Sequence, residues 1–289
     1  MDSRPSLTAE IVAFMRAIDQ HSGPETRIVD DPWARHFLSW SWRTLLNTPT
    51  LAWRLTPEIT TYIRARHRYM DDRVRAALAA DNPGGCAEQL VILGAGYDMR
   101  GVRLAAELAG RPVFEVDFPT TSRRKHEVLS ALPSSANLPD RAHIRYVHID
   151  FQTQSIADVL LAAGFDPSKR TFFTWEGVSM YLSRSAIHGT LQALRGLAAP
   201  GSGLTMDYFC YVDDATRIAS WHRLSAGLLA FIAEPVTFPS HPEDVGPFMA
   251  RDGWAVTDIA DCRELERRYV KDGKTVYPAN FVVTAGVDP

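Results

Sequence analysis

Cysteine is scarce in this 289-residue chain: Cys86, Cys210 and Cys262 lie far apart and show no metal-ligand spacing. That excludes a disulfide scaffold and a cysteine-based metal site, and it suits buried free thiols in a reducing cytoplasm. Long apolar runs are absent too. The longest candidate, Gly227-Leu-Leu-Ala-Phe-Ile-Ala233, falls far short of the roughly 18 residues a membrane span needs. The first residues, Met1-Asp2-Ser3-Arg4-Pro5, lack a signal-peptide core. Charge of one sign is not in excess. A net charge of −3 gives no electrostatic case for nucleic acid or an anionic membrane as partner. Repeats and low-complexity tracts are missing. What remains is a chain that is 46% apolar and 22% charged, enough for one large globular domain or one domain with a cap.

The most informative segment is residues 90–101, Leu-Val-Ile-Leu-Gly-Ala-Gly-Tyr-Asp-Met-Arg-Gly, with residues 113–117, Val-Phe-Glu-Val-Asp. An apolar run ends in Gly-x-Gly, and a second apolar run ends in an acid, Asp117. This is the layout of a nucleotide-binding βαβ unit. Gly94 and Gly96 let backbone approach a ligand, and a carboxylate at the next strand's tip accepts from ribose hydroxyls. A dinucleotide site carries a third glycine, where this chain has Met99, and places pyrophosphate on the helix N-terminus, where it has Asp98. An acid there repels phosphate but suits a helix cap or a ligand with an ammonium group. S-adenosylmethionine has an ammonium, a sulfonium and no phosphate. Alone, Gly-Ala-Gly also reads as a tight structural turn; the spacing to Asp117 favours the adenosylmethionine reading over an NAD-linked oxidoreductase.

Along the chain, apolar spacing predicts a helix over 7–20, and Asp30-Asp31-Pro32-Trp33 reads as a helix start. A tryptophan-rich stretch covers 33–55, and one long helix covers 58–80. From residue 89 strands and helices alternate: strands 90–93, 113–117, 144–149, 171–175 and 203–209, with helices to about 109 and over 120–131, 155–163 and 184–198. That series predicts an α/β fold with a doubly wound, mainly parallel sheet. Beyond 210 the pattern changes to a helix over 213–233, a proline-broken stretch, strand 254–259, helix 262–269 and strand 280–285. The last two strands predict an antiparallel addition at the sheet edge.

Five segments occur in a fixed order: Asp31-Pro32-Trp33-Ala34; Arg66-His67-Arg68-Tyr69-Met70-Asp71-Asp72; Leu93-Gly94-Ala95-Gly96-Tyr97-Asp98-Met99-Arg100; Glu115-Val116-Asp117-Phe118-Pro119; and Glu176-Gly177-Val178-Ser179-Met180-Tyr181-Leu182. Together they resemble the leucine carboxyl methyltransferase family, over about residues 10 to 285. The resemblance implies a Rossmann-like methyltransferase with a seven-stranded sheet. It implies one domain over 1–289, made of a helical cap (1–85), a cofactor-binding core (86–209), a lid or substrate insertion (210–250) and the end of the sheet (251–289). It implies S-adenosylmethionine as cofactor and S-adenosylhomocysteine as product. Arg66 then matches the arginine that grips the cofactor carboxylate, a task that suits a bidentate guanidinium. Gly94 and Gly96 pass under the cofactor, and Asp117 binds the ribose. Asp150 and Phe151 flank the adenine. Glu176 lies beside the methionine moiety, where an acid at a strand end needs a cation, here the ligand's ammonium. Arg100 fits the family's Asp-x-Arg and reads equally as a salt bridge to Asp98 or Asp117.

Methyl transfer from a sulfonium expels a neutral thioether, so it needs no acid, and a carboxylate acceptor needs no base. Positioning and water exclusion then carry the catalysis. The expected activity is O-methylation of a carboxylate on a small, polyketide-like natural product. Hydroxyl methylation, methylation of a protein C-terminus, and cofactor binding without turnover remain alternatives. No metal is expected. Tyr181 is the one catalytic candidate, and it reads equally as a half-buried packing residue. Tyr181, Tyr208, Arg217, Trp221 and His222 are the candidates for the acceptor side.

Overall fold

A computed structural model of the chain describes residues 7–55, 57–82, 85–151, 153–210, 239–278 and 280–288. The strands are β1 Gln89–Leu93, β2 Val113–Asp117, β3 Ile144–His148, β4 Thr171–Trp175, β5 Gly203–Cys210, β6 Pro239–Ser240, β7 Ala255–Ala260 and β8 Asn280–Gly286. Seven form one sheet in the order β3-β2-β1-β4-β5-β8-β7, and two-residue β6 pairs beside the end of β5. β1 to β5 run parallel. β1 and β4 are buried at every position, as a parallel sheet covered on both faces requires. The chain order turns back at β1, with β2 on one side and β4 on the other. That switch point opens a crevice at the carboxyl ends of these strands.

The expected antiparallel pair is present at the sheet edge beyond β5, with β8 the inner strand, antiparallel to both β5 and β7. Burial explains the order: β8 is buried at all but its last position, whereas β7 is exposed or half-buried at all but its last and makes the better edge.

Helices α1 Leu7–Ala17, α2 Trp40–Leu46, α3 Pro49–Leu55 and α4 Pro57–Leu78 precede the sheet. α5 Arg100–Arg103, α6 Ala105–Leu108, α7 Pro119–Ser130, α8 Ile156–Ala162 and α9 Arg184–Leu197 connect its parallel strands, and α10 Pro242–Ala250 and α11 Cys262–Tyr269 flank β7. Successive strand residues feed two cores. Leu90 and Ile92 face α1 and α4, while Val91, Leu93 and Phe173 face α9, α10 and Trp254. α4 is tied across the sheet by the Tyr69 hydroxyl, which lies 3.0 Å from Asp258 Oδ2 and 2.8 Å from Thr284 Oγ1.

Several elements differ from the pattern-based expectation. The first helix ends at Ala17 and passes into a 3-10 turn, Ile18–His21. Asp19 turns inward there, its Oδ2 accepting from the backbone N–H of Ile28 at 2.8 Å and of Val29 at 2.7 Å. Asp31-Pro32 opens only the 3-10 turn Ala34–Phe37, because Asp31 is committed to the core: Oδ1 caps Ala34 at 3.1 Å and Oδ2 takes Arg16 Nε at 3.0 Å. The helix after β1 breaks at Leu104 (φ −99°, ψ 21°) into α5 and α6. Cys86 and Cys262 are half-buried free thiols rather than fully buried ones. The helix expected over 213–233, most of the 210–250 insertion, and Arg217, Trp221 and His222 lie outside the described residues. No helix among the described residues is long and apolar enough to cross a membrane.

Phe173 is fully buried between Phe165 and Trp254, with ring centroids 6.4 and 6.2 Å away. Phe173→Ala should therefore cost about 3–5 kcal/mol of stability. Urea unfolding followed by far-UV circular dichroism checks this; a loss under 1 kcal/mol would contradict the packing described (an order-of-magnitude threshold on the same scale).

Candidate functional site

A cavity of about 270 Å³ opens at the carboxyl ends of β1, β2 and β4, roofed by Thr8, Ala9, Val12 and Arg16 of α1. Its floor is the turn after β1. Gly94 (φ +60°) and Gly96 (φ +47°) both take the left-handed conformation that glycine adopts without strain. At Gly94 a Cβ would lie 2.5 Å from Val178 Cγ2, so strand β4's exit packs directly against the turn. At Gly96 a Cβ would come within 3.4 Å of Ala9 on α1.

Asp117 closes one end of the cavity. Its carboxylate accepts the backbone N–H groups of Gly96 and Phe118. Burial raises its pKa above the ordinary aspartate value, and those two N–H bonds pull it part of the way back. Phe151 lines the same mouth and is 46% exposed. Asp150 stands just behind it and is not part of the cavity wall; its backbone N–H is held by Gln154 Oε1 at 2.9 Å.

The other end is an ion-pair cluster. Glu176, directly after β4, accepts from Arg66 Nε at 2.9 Å and Arg100 Nη1 at 2.6 Å, with His67 Nδ1 3.1 Å away. Burial favours the neutral acid, yet Arg100, His67 and Arg66 outweigh it and hold the Glu176 carboxyl well below the usual range. The sequence-based expectation gave this carboxylate no cation but the ligand's. The chain supplies its own, because two arginines from α4 and α5 reach it from beneath. Arg66 is likewise more committed than expected. Besides Glu176 it gives Nη1 to Asp207 on β5 at 2.6 Å, and its guanidinium lies 5.4 Å from the Tyr62 ring centroid. Two of its three nitrogens are therefore bound to acids, and Nη2 lies beside Gly177. Its Nε and Nη1 each give one bond to an acid, so Arg66 spans from the end of β4 to β5.

Arg100 is fully buried. Nε meets Asp71 at 2.8 Å, Nη1 meets Asp98, and its backbone N–H is capped by Asp98 Oδ1 at 2.8 Å. Of its two expected partners, Asp98 is taken and Asp117 is not. Asp71 also receives Arg103 Nη1 at 2.7 Å. Three ligand-type atoms of His67, Asp98 and Glu176 lie within 4.8 Å of one another. The Arg100 guanidinium fills the point they share, so the trio serves the ion-pair cluster and not a metal.

Tyr181, in the 3-10 turn Ser179–Tyr181, lines the cavity. Tyr208 does not. It is 1% exposed on the opposite side of the sheet, stacked on Phe281 with ring centroids 5.4 Å apart, because its position in β5 alternates away from Asp207. Sequence reasoning missed Arg16, His67 and Asp207. Arg16 gives Nη2 to the Tyr97 carbonyl at 2.6 Å and lines the cavity from α1. Its signal was an arginine on the apolar face of a helix, and that of Asp207 an acid inside an apolar strand.

A sequence profile of leucine carboxyl methyltransferases matches residues 9–195. The chain belongs to the leucine carboxyl methyltransferase family. It is 31% identical over 282 residues to a Mycobacteroides abscessus protein named "Putative S-adenosyl-L-methionine-dependent methyltransferase", covering 91% of this chain and 86% of that one. It is 33% identical over 219 residues to a similarly named Rhodococcus jostii protein, covering 74% and 69%. Among solved structures, a DUF574 family protein from Streptomyces avermitilis shares the fold over 100% of this chain and 99% of its own, at 16% identity and a TM-score of 0.59. A Thermobifida fusca protein does so over 99% and 96%, at 14% identity and a TM-score of 0.58. This member of the family is thus an S-adenosylmethionine-dependent methyltransferase with a Rossmann-like fold.

The close contact behind Gly94 makes the turn testable. Gly94→Ala should cost at least about 1–2 kcal/mol, the penalty of a left-handed alanine, before the contact with Val178 is counted. Thermal unfolding of the purified variant reads it out, and a melting temperature equal to the parent's would show that the turn relaxes freely.

Proposed function

We propose that this methyltransferase esterifies a carboxylate on a small, largely apolar acid. The observation that carries the reading is the cavity's lack of a poised base. Among the described residues His67 is the histidine of the wall, and both its ring nitrogens are engaged within the ion-pair cluster. Among the described residues, an acceptor that must first lose a proton finds no uncommitted histidine there to take it, whereas a carboxylate arrives ionised. The apolar wall of Ala9, Val12, Phe151, Val178 and Tyr181 supports an apolar body on that acid.

The residues present fit S-adenosylmethionine. A left-handed glycine turn, a ribose-directed carboxylate and a mixed-charge end share one cavity. When bound, the cofactor supplies a methyl group on a sulfonium, ready for in-line displacement. Asp117 accepts from the ribose hydroxyls, and Phe151 offers a face to the adenine. Glu176 meets the ammonium, and Arg66 Nη2 meets the carboxylate. The cluster favours a cation: the carboxylates of Asp71, Asp98, Glu176 and Asp207 outnumber the guanidinium groups of Arg66, Arg100 and Arg103 by one. α1 covers the turn and limits water, and Tyr181 stands where it can orient the acceptor. A place in the cytoplasm and in secondary metabolism accords with this reading.

Two measurements follow. Asp117→Ala should weaken S-adenosylhomocysteine binding by about 1.5–3 kcal/mol in calorimetric titration, the scale of lost hydrogen bonds to a charged group; unchanged affinity removes the ribose role. Separately, the protein should be incubated with methyl-labelled S-adenosylmethionine and matched sets of aromatic carboxylic acids, phenols and C-terminal peptides. Label on the acids that is released by mild alkali is the expected result. Alkali-stable label on the phenols would establish hydroxyl methylation instead, and label confined to peptides would move the acceptor to a protein C-terminus.

A further inference from the structure

His67 follows Arg66 on α4 and is 1% exposed, yet the cofactor reading assigns it nothing. Its surroundings determine its state. Nε2 lies 2.7 Å from Arg103 Nη2. A guanidinium nitrogen only donates, so Nε2 must present its lone pair, and the ring proton sits on Nδ1. Nδ1 faces both oxygens of Glu176, at 3.3 and 3.1 Å. Arg100 Nη2, 2.9 Å from Nδ1, has the His67 carbonyl oxygen as its acceptor at 3.0 Å. Arg103 is itself fixed, giving Nη1 and Nη2 to Asp71 at 2.7 and 2.9 Å.

We propose that His67 is a positioning residue: Arg103 fixes its Nδ1–H tautomer, and that N–H sets the orientation in which Glu176 meets the cofactor's ammonium group. This rests on the reading of Glu176 given above. The two arginines each hold one oxygen of Glu176, Arg66 on Oε1 and Arg100 on Oε2. The imidazole lies between both and opposes rotation of the carboxylate about its last bond. Its neutrality matters as much as its hydrogen. A cation at this position would cancel the cluster's one excess negative charge, whereas the neutral ring preserves it.

The groups facing the ring are Glu176 after β4, Asp98 in the turn before α5, Arg100 and Arg103 on α5, and Asp71 on its own helix. Burial and the two arginines hold His67 below its ordinary value of 6.5, with Glu176 and Asp71 pulling the other way. Protonation would aim a new Nε2–H at Arg103 and remove the excess charge. Cofactor affinity should therefore fall once the pH drops below the ordinary imidazole range.

The test is calorimetric titration of the full chain with S-adenosylhomocysteine, at pH 8 and at pH values stepped down through and below the imidazole range, for the parent, His67→Ala, His67→Asn and Glu176→Gln. Asn places an amide donor where Nδ1 stands and does not titrate. His67→Ala should raise the dissociation constant about tenfold or more, the lower end for a lost hydrogen bond to a charged group. His67→Asn should bind nearly as the parent does at pH 8 and lose the steeper fall seen in the parent on acidification. If Glu176→Gln weakens binding while His67→Ala does not, the positioning role is wrong and the site reading stands. If Glu176→Gln binds as the parent does, the site reading itself fails. Should His67→Ala not fold, His67→Asn decides alone: a folded variant that binds tenfold more weakly, or that keeps the parent's pH dependence, overturns the proposal.

Discussion

The buried contact between Arg100 and Glu176, at 2.6 Å, is the constraint on which the site depends. Arg100 begins the helix after the glycine turn, and Glu176 directly follows the strand on the other side of the switch point. Their pairing fixes the distance across the crevice. Each is then tied further: Arg100 to Asp71 on α4 and to Asp98 at its own helix start, Glu176 to Arg66 on α4. Arg66 in turn reaches Asp207 on β5, whose Oδ1 takes the Gly177 N–H at 2.7 Å. Four elements are thereby locked by charge, in an interior where removing one partner of such a pair costs about 3–5 kcal/mol. A cluster of this kind adds little net stability over apolar packing. Its place against the cavity gives it a second role: four acidic side chains face three guanidinium groups at one end of the site.

The opposite wall is held by a different logic. α1 lies over Gly96, and its grip on the core runs through Arg16, which spans from Asp31 to the Tyr97 carbonyl. The cap is thus bonded to the very turn it covers. Tyr97 is stacked on Phe37 of the cap at 4.7 Å. Movement of the turn and movement of the cap are coupled through these two contacts, one charged and one aromatic. Beneath the turn, Lys125 of α7 adds a third support. It is buried, bonds the Asp98 carbonyl, and pairs with Glu115 at 2.7 Å. The glycine turn is therefore flexible in its residues but clamped in its surroundings, which is the condition for preorganised binding.

Much of this was legible in the sequence, and the pattern of what was not is instructive. The strands β1 to β5 could be placed to within a residue or two, because strands buried on both faces read as apolar runs and glycines punctuate their ends. Gly94, Gly96, Asp117 and Glu176 were visible for the same reason: each interrupts or ends an apolar run. Partners were much less visible. Glu176 reads as an acid in want of a cation, and nothing local to residue 176 says that Arg66 and Arg100, 110 and 76 positions away, will supply it. Asp31 reads as a helix start because Asp-Pro is one, but Arg16 draws it inward. Tyr208 was expected at the site and Asp207 was not, although the two are adjacent. The two-residue period of a strand sends one into the cavity's cluster and the other into the far core, and composition alone does not set that phase.

The division of labour between the two walls bears on how such a protein could change its acceptor without losing its cofactor. The ion-pair cluster at one end of the cavity comes from α4, α5, β5, the turn after β1 and the residue after β4, and its side chains hold one another. Substituting any one leaves a buried charge unpaired, so that wall resists change. The side formed by Ala9, Val12, Val178 and Tyr181 is mostly apolar and makes none of these ion pairs. Hydrophobic exchanges of similar volume cost little there. On the reading proposed above, acceptor size and shape can drift on this wall while the ion pairs of the other are preserved.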